Sequence, residues 1–455
     1  MFFLYSLLTA LGVLFALPYW AVGALRHGKY FSNLKERLGV SYSGLAGPQK
    51  GQGTTAIWLH AVSVGEVLSG VALARGLKEQ HPQRRLIVST TTQTGQAIAR
   101  ERMSFADAII YFPLDWGFVV KRALRAVRPG IVVVLETELW PNFLRETQRQ
   151  GIPVVYLSGR ISERSFGRYK RALGVFGFLV RPFLKRVLSI PRAFRMQSEQ
   201  DAARLSALGA PQDRIVVGGN LKYDLEVPPS TPLAEWLERE AVAGSRRPLV
   251  VAGSVVANEE PLALIAFGTA QGEHAHALLV LAPRKPERFD AAAEFIEESH
   301  RKFVRRSALG IPGPNGTGPS GLAVTARIAE DVTVLLLDSI GELASLYRVA
   351  DVVFVGGSLV PSGGHNILEP AAFGKIPVFG PHTENFAEMT ARFVEAGAAI
   401  RAGSPEDVGV AWIELLRDPE RMREMGAKAR ALVEGSRGAT ARALDDVRRL
   451  LAGGS

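Results

Sequence analysis

Short apolar runs alternate with longer amphipathic stretches along most of the chain. The apolar runs predict buried strands, and the amphipathic stretches between them predict helices. In the first half, the strand candidates are residues 56–61, 86–91, 108–113, 130–136, 153–158, 186–190 and 214–218. This alternation of strand and helix indicates a parallel, doubly wound sheet with helices on both faces.

The alternation stops at residues 226–247 and then starts again. This segment begins with EVPPSTP and ends with AGSRRP, and its Pro, Ser and charged residues predict a linker. Beyond it, the strand candidates are residues 248–253, 277–282, 302–306, 333–338, 351–356, 376–380 and 398–401. The sequence therefore predicts an α/β protein with two Rossmann-like domains, at 28–225 and 248–430, followed by a charged C-terminal helix at 431–455.

The N-terminal segment, residues 1–27, has neither pattern, because positions 1–25 are almost entirely apolar and carry no charge. As a helix they would extend about 37 Å, compared with roughly 30 Å for the hydrocarbon core of a bilayer. A transmembrane anchor is favoured over a cleaved signal peptide because no Lys or Arg precedes the apolar run. The anchor is also favoured over a plain buried helix. The basic residues that follow it predict, by the positive-inside rule, that the remaining chain lies in the cytoplasm.

The composition narrows the class of protein. The hydrophobic fraction of 47% and the charged fraction of 22% exclude wholesale disorder. The absence of Cys excludes disulfides, thiolate metal sites, iron–sulfur clusters and a Cys nucleophile. Lys and Arg number 54 against 44 Asp and Glu, which indicates an anionic partner: nucleic acid, a membrane surface or a phosphorylated substrate. The basic, aromatic-rich stretch 160–195 favours anionic lipid over nucleic acid, since no RNA-binding signature is present; a solvated basic helix face is the alternative.

In the first domain, three motifs follow predicted strands, where parallel sheets bind their ligands. Glu66 in HAVSVGEV (60–67) is a candidate general base, although Ser63 and Glu66 also match a helix capping box. Glu136 and Glu138 in ETELWPN could orient a base or hold a sugar hydroxyl, or could be solvated acids of a capped turn. Lys222 in GNLKYD could neutralise developing phosphate charge, or be a surface lysine.

In the second domain, the richest motif combines GGS (356–358) with PSGGHNILEP (361–370). A strand leads into a glycine-rich loop and then a helix, so exposed amides and the helix dipole predict an anion site. Glu369 could accept hydrogen bonds from two ribose hydroxyls, while Asn366 and Glu369 could equally be a capping pair. The sequence contains no P-loop, no GxGxxG after a strand and no Asp-x-Asp, which favours a metal-independent reaction.

These motifs together resemble one family, the bacterial 3-deoxy-D-manno-oct-2-ulosonic acid (Kdo) transferases of lipopolysaccharide synthesis. The residues that carry the resemblance are HAVSVGE (60–66), TTTQTG (90–95), ETELWPN (136–142), SGRIS (158–162), GNLKYD (219–224), APRKPERF (282–289), LLLDSIGEL (335–343), FVGGSL (354–359), GGHNILEPAAFG (363–374) and GPHTENF (380–386). The resemblance runs from the anchor to about residue 400, and ten blocks in order are far more specific than any one of them.

The resemblance implies a glycosyltransferase-B fold, with two Rossmann-like domains facing an interdomain cleft. It implies CMP-Kdo as donor and co-substrate, a lipid A precursor as acceptor, and no resident cofactor or metal. It places the chain at the inner membrane, with a single-pass N-terminal anchor and cytoplasmic catalytic domains. An anionic inner-membrane surface is then an expected partner, and nucleic acid is not.

The resemblance also assigns roles to individual residues. Glu66 matches the general base, and Glu136 and Lys222 match positions that stabilise the transition state. The positions that match CMP-binding residues are Pro283, Arg284, Ile340, Gly341, Glu342, Asn366, Ile367, Leu368 and Glu369. Two positions depart from the family: Val256 and Lys285 stand where many members have histidine. Two alternatives are open. One is another two-domain enzyme, a UDP-sugar transferase or epimerase, and the other is a membrane-tethered nucleotide or lipid binder without catalytic activity.

Overall fold

The computed structural model describes residues 1–12, 33–40, 45, 55–224, 227–243, 247–313 and 328–453. The chain divides into two compact units. Unit 1 comprises Met1–Asp224 together with Ser436–Ser455, and unit 2 comprises Leu225–Gly435. The C-terminal helix therefore belongs to the same unit as the N-terminal half of the chain.

Each unit contains one seven-stranded sheet whose neighbouring strands are all parallel. The strands are β1 Ala56–His60, β2 Leu86–Thr90, β3 Ala108–Tyr111, β4 Pro129–Leu135, β5 Val154–Gly159, β6 Ala193–Met196, β7 Ile215–Val217, β8 Leu249–Val255, β9 Leu278–Pro283, β10 Lys302–Arg305, β11 Val332–Leu336, β12 Val352–Val355, β13 Pro377–Phe379 and β14 Ile400–Arg401. The strand order is β3-β2-β1-β4-β5-β6-β7 in unit 1 and β10-β11-β9-β8-β12-β13-β14 in unit 2. The prediction of two parallel α/β sheets is confirmed.

Helices connect the strands and cover both faces of each sheet. They are α1, of which residues 2–12 are described, α2 Leu34–Arg37, α3 Val64–Gln80, α4 Gln93–Arg102, α5 Gly117–Val127, α6 Pro141–Arg149, α7 Glu163–Leu188, α8 Glu199–Ala207, α9 Pro232–Ala243, α10 Glu260–Gln271, α11 Phe289–Glu298, α12 Leu343–Leu346, α13 Leu368–Ala372, α14 Ala387–Glu395, α15 Pro405–Arg417, α16 Pro419–Gly435 and α17 Ala439–Ala452.

The apolar runs become central strands because both of their faces are buried. Along β4, Val132 contributes to the core on one face of the unit 1 sheet, and Ile131 and Val133 contribute to the core on the other. Ala443 of α17 packs in that second core, so the C-terminal helix completes the unit 1 fold. Strands covered on both faces need continuous apolar sequence, which is why they are conspicuous in the sequence.

The strand predicted at 186–190 is wrong. Helix α7 continues to Leu188, and the strand that follows it, β6, begins at Ala193. Val187 and Leu188 are buried because the last turn of α7 packs on the core, not because they belong to the sheet. A short apolar run has the same local pattern in a buried helix end and in a strand.

One further segment differs from the simple expectation, and another cannot be compared with it. The predicted linker 226–247 contains α9, whose Leu233, Trp236 and Leu237 are buried in the core of unit 2. Most of the predicted N-terminal anchor, residues 13–27, lies outside the described residues. Within the described parts of the chain, no helix has the length and apolar character that crossing a bilayer requires.

Candidate active site

Glu66 lies in the first turn of α3, immediately after the carboxyl end of β1. Its side chain is only 7% exposed. One carboxylate oxygen accepts a hydrogen bond from the Val62 amide, and Ser63 Oγ lies 3.3 Å from the other. Burial and, after it, the negative charge of Glu136 raise the pKa of Glu66 to about 7, against the smaller opposing effect of the Val62 amide. A carboxyl with this pKa is poised to take a proton near neutral pH.

The capping-box interpretation of Ser63 and Glu66 is only half realised. Ser63 is the N-cap of α3, but its side chain makes no capping hydrogen bond. Its hydroxyl instead lies beside the Glu66 carboxylate, which reaches back to the amide of Val62, the residue before the cap. The Ser63 hydroxyl and the Val62 amide therefore hold the Glu66 carboxylate, and the Ser63 side chain does not cap the helix.

Glu136 and Lys222, 86 positions apart in the sequence, meet at the carboxyl edge of the unit 1 sheet. Lys222 Nζ lies 3.3 Å from Glu136 Oε1, and the side chains are 20% and 25% exposed. Glu136 follows β4 with a φ of +56°, a left-handed conformation that is costly for a residue with a Cβ. Its amide donates to the Leu157 carbonyl at 3.0 Å, which fixes this conformation at the strand end.

Glu138 adds a third carboxyl to this edge. Burial and then the charge of Glu136 raise the pKa of Glu138, and the charge of Glu138 contributes in turn to the raised pKa of Glu66. The structure therefore brings together the three acids and the lysine that the sequence analysis singled out in this domain. Among the described residues, no group of three His, Asp or Glu side chains is arranged to hold a metal ion.

Two residues that the sequence analysis gave no role support this edge. Asp115 accepts hydrogen bonds from the Asn142 and Phe143 amides at 3.1 and 2.7 Å, which anchors the ETELWPN segment at the start of α6. His60 is fully buried, stacks on Phe112 at 4.0 Å, and has a pKa that burial lowers to about 3. Its ring is neutral and holds the end of β1 in place.

A cavity of about 260 Å³ lies beside the Lys222 loop, between the ends of β5–β7 and α17. Arg195, Arg442 and Asp446 line it, and Asp446 forms an ion pair with Arg195. Arg442 Nε donates to the Gly218 carbonyl at 3.0 Å, so α17 also holds the loop that carries Lys222.

In unit 2, Arg284, Tyr347 and Glu369 lie within electrostatic range of one another. Burial raises the pKa of Glu369, and the charge of Arg284 and a hydrogen bond from Asn366 oppose that rise. Burial and the charge of Glu369 raise the pKa of Tyr347. Asn366 Oδ1 also accepts from the Leu368 amide at 3.1 Å, so the capping interpretation of Asn366 describes part of its role.

His365 completes this group. Burial, and then the charge of Arg284, lower its pKa to about 4, so the ring is neutral at physiological pH. Its Nε2 atom is buried and has no hydrogen-bond partner among the described residues. The ring packs over Gly357, where a Cβ would lie 2.7 Å from the His365 ring.

The other predicted nucleotide positions differ in what they present. Ile340 is 51% exposed and precedes Gly341, whose φ is +93°, so an apolar side chain projects from a tight turn. Pro283, Ile367 and Leu368 are buried, so none of them presents an exposed side chain. Glu342 is fully buried, and its two oxygens lie 2.7 and 2.9 Å from the Arg306 guanidinium. Its carboxylate therefore has a structural partner.

In the glycine-rich motif, the amides of residues 357–359 are not open to a ligand anion. The amides of 357–359 all donate to the carboxylate of Glu259. The following helix, α13, has only five residues, so its dipole is short. Sequence reasoning did not single out Glu259, because nothing in the local pattern connects it to a loop about a hundred positions away.

Comparison with known proteins decides the family. Residues 32–225 match the model of the family described as 3-Deoxy-D-manno-octulosonic-acid transferase (kdotransferase). The chain is 32% identical to a 3-deoxy-D-manno-octulosonic acid transferase of Haemophilus influenzae, over 93% of this chain and 92% of that protein. It is 34% identical to the transferase of the same description from Bordetella pertussis, over 86% of each chain. The chain belongs to the Kdo transferase family.

The fold agrees with this assignment. Residues 313–432 match the family described as Glycosyl transferases group 1. The UDP-GlcNAc 2-epimerase of Neisseria meningitidis, at 14% identity, superposes with a TM-score of 0.53 over 88% of this chain and all of that one. That likeness concerns the fold alone. The Kdo transferase is thus a glycosyltransferase of the B-type fold, and the alternatives of an epimerase and of a non-catalytic binder do not agree with its family.

The departures from the family motif are accommodated by the backbone of this Kdo transferase. Val256 contributes its amide, which donates to Glu259 at 3.2 Å whatever the side chain. Lys285 is exposed at the start of the 3-10 helix Pro286–Arg288.

Proposed function

We propose that this enzyme transfers Kdo from CMP-Kdo to a hydroxyl of a lipid A precursor, lipid IVA, with inversion at the anomeric carbon and without a metal ion. The observation that carries the mechanism is Glu66, a nearly buried carboxyl with a pKa of about 7 at the end of β1. Close to half of this group is ionised at neutral pH, so it can accept a proton and be regenerated without a large free-energy cost.

The proposed step is a single displacement. The acceptor hydroxyl oxygen attacks the anomeric carbon of Kdo, and the bond from that carbon to the CMP phosphate oxygen breaks. The hydroxyl proton passes to Glu66, and the bonding electrons leave with CMP. Negative charge therefore grows on the departing phosphate, and cations placed nearby stabilise it.

Unit 1 offers Lys222 for this charge. Its ammonium is held by Glu136 at 3.3 Å, so its position is set before the substrate arrives. A preorganised cation costs little reorganisation during the reaction. We infer that Glu136 positions Lys222 and at the same time raises the pKa of the base.

Unit 2 is the proposed donor-binding unit. In this proposal Glu369 accepts hydrogen bonds from the ribose hydroxyls, and the charge of Arg284 opposes the rise of its pKa by burial. Arg284 and residues 363–366 are the proposed surroundings of the phosphate and of the Kdo carboxylate. The exposed side chain of Ile340 offers an apolar surface for the cytosine ring.

The test is direct. The purified enzyme is incubated with CMP-Kdo and lipid IVA, and the product mass and CMP release are measured. UDP-sugars replace CMP-Kdo in a parallel reaction, and EDTA is added in another. We expect turnover with CMP-Kdo and none with UDP-sugars, and we expect EDTA to leave the turnover with CMP-Kdo unchanged. Glu66→Ala should lower kcat by about 10²–10⁴ if Glu66 is the base. Glu79→Gln, near the end of the same helix, is the matched control and should retain wild-type turnover. Wild-type turnover of Glu66→Ala would reject the assigned role.

We also propose that unit 1 binds the anionic inner-membrane surface, with both catalytic units in the cytoplasm. Residues 2–12 pack beside α7, where the Phe2 and Phe183 rings lie 5.2 Å apart. Large apolar side chains remain exposed on both helices, among them Phe3 at 79% and Phe178 at 78%. Among the side chains of α7 that the structure describes, the exposed cations are Arg168, Lys170, Arg171, Arg181, Lys185 and Arg186. Each basic residue near an anionic surface contributes about 1 kcal/mol.

Vesicle flotation tests this surface. The full chain should float with vesicles that contain phosphatidylglycerol and much less with neutral phosphatidylcholine vesicles. The double variant Phe176→Ser, Phe178→Ser should bind less, and Val410→Ser, an exposed apolar residue of unit 2, should bind as the wild type does. Equal binding to both vesicle types, or by both variants, would contradict the proposal.

A further inference from the structure

Glu259 is a fully buried carboxylate inside a ring of backbone amides. It is 0% exposed, and each of its oxygens accepts two hydrogen bonds. Oε2 accepts from the Gly357 amide at 2.6 Å and from the Val256 amide at 3.2 Å. Oε1 accepts from the Ser358 and Leu359 amides, both at 2.9 Å.

This arrangement has the form of an anion-binding nest. Consecutive amides can point into one concavity only where a residue adopts a left-handed conformation, and Gly357 has a φ of +71°. Gly356 leaves no room for a side chain, because a Cβ there would lie 2.9 Å from Glu259 Oε2 and 2.7 Å from the Ser254 carbonyl oxygen. The loop is therefore shaped around an anion, and the anion is the protein's own carboxylate.

The nest is connected to the proposed donor site by backbone hydrogen bonds. The Gly364 amide donates to the Gly357 carbonyl at 2.7 Å, and Gly364 begins the segment that leads to Glu369. The His382 amide donates to the Ser358 carbonyl at 3.0 Å. Any movement of residues 357–359 would therefore also displace the backbone at Gly364 and at His382.

Backbone amides hold the Glu259 carboxylate. Burial raises the pKa of Glu259, and the hydrogen bonds from the four amides oppose that rise. The neighbouring Glu260 is also fully buried, but its Oε1 accepts from Arg288 Nε at 2.8 Å. The two adjacent glutamates therefore have different partners, which makes Glu260 a matched control.

We propose that Glu259 is a positioning residue for the CMP-sugar site: a built-in anion that fills the amide nest and fixes the glycine-rich loop for donor binding. The role in donor binding rests on the proposed function, whereas the nest itself does not. Removing the carboxylate leaves four amides, two of them buried, without this acceptor, and the loop relaxes to satisfy them. A small free carboxylate can then replace the missing one.

Chemical rescue tests this proposal. Glu259→Ala, Glu259→Gln and Glu260→Ala are compared with the wild type in formate and in chloride at equal ionic strength. In chloride, Glu259→Ala should show kcat/KM for CMP-Kdo lowered about 10- to 100-fold, mostly through KM, as small displacements of positioning groups do. Formate should restore much of that loss. Glu259→Gln fills the space but turns an amide group towards the amide donors, so formate should not restore it.

Thermal unfolding and calorimetric binding of CMP provide readouts that do not depend on transfer activity. Formate should raise the Tm and the CMP affinity of Glu259→Ala, and should change neither for Glu260→Ala or the wild type. Wild-type KM in Glu259→Ala, or an equal formate effect on Glu260→Ala, would overturn the proposal. A formate-dependent Tm in an enzyme that does not use CMP-Kdo would support the nest while rejecting the proposed reaction.

Discussion

The charge of Glu136 should raise the pH at which the enzyme becomes active. Glu136→Gln removes a negative charge close to Glu66 and leaves Lys222 without its carboxylate partner. Both changes favour the ionised form of Glu66, so the pKa of Glu66 should fall. The acidic limb of kcat/KM, which reports the free-enzyme base, should then move to lower pH.

The magnitude follows from the three causes that raise the pKa of Glu66 from 4.5 to about 7, which are burial, the charge of Glu136 and the charge of Glu138. Burial is the largest cause and is unaffected by the substitution, so only the contribution of Glu136 is lost. We expect the limb to move down by on the order of one pH unit. At pH 6 the ionised fraction of the base would rise from about one tenth to about one half, a relative gain of about fivefold.

The assay is CMP release from CMP-Kdo and lipid IVA between pH 5.5 and 9, each variant normalised to its own plateau. Normalisation separates the pH effect from the loss of plateau activity expected when Lys222 is no longer held. Glu138→Gln should move the limb in the same direction by less, because Glu138 raises the pKa of Glu66 less than Glu136 does. A limb that stays near pH 7 in Glu136→Gln, or that moves upward, would refute the electrostatic coupling.

Three further predictions concern the same carboxyl and one buried ion pair. Ser63→Ala removes a hydroxyl that lowers the pKa of Glu66, so the acidic limb should move to higher pH by a few tenths of a unit; a downward movement would contradict this. Because the folded-state pKa of Glu66 is raised, its protonated form stabilises the fold below about pH 4.5, and that stability is lost as the pH rises through about 7. Between about pH 4.5 and about pH 7, the free energy of unfolding of Glu66→Gln, measured by denaturation, should therefore rise by about 3 kcal/mol relative to that of the wild type. If Glu66 has an ordinary pKa, no such pH-dependent difference should be seen. Arg306→Ala leaves the buried carboxylate of Glu342 unpaired and should lower the free energy of unfolding by about 3–5 kcal/mol. Arg305 is more exposed, so Arg305→Ala should lower the free energy of unfolding by less than about 1 kcal/mol. Equal losses for the two variants would show that the buried pair of Arg306 and Glu342 does not stabilise the fold.

Some elements could not be assigned from the local pattern even though the fold class could. The run 186–190 is apolar in a strand and in the end of a packed helix alike, and only the core contact of Val187 distinguishes them. Likewise, the Pro- and Ser-rich stretch 226–247 predicts a linker until Trp236 is seen in the core of unit 2. The composition of a segment reports its local character, whereas the burial of its residues depends on the parts of the chain that pack against it.

The site divides in the same way. The motifs placed Glu66, Glu136 and Lys222 at strand ends, because residues that follow parallel strands collect at one edge of a sheet. That Glu136 contacts Lys222, and that its charge raises the pKa of Glu66, required the structure. That the Glu342 carboxylate is bound to Arg306 also required the structure.

Alone, the sequence determined the two parallel sheets, the family and the chemical types of the site residues, because strand burial and motif order are properties of neighbouring positions. Tertiary structure decided which charges meet, which carboxyls are desolvated, and that the glycine-rich loop is already filled by Glu259. Those properties depend on distances between residues far apart in the chain. Glu259 and Gly357 are separated by 98 positions, and only folding brings their atoms to 2.6 Å.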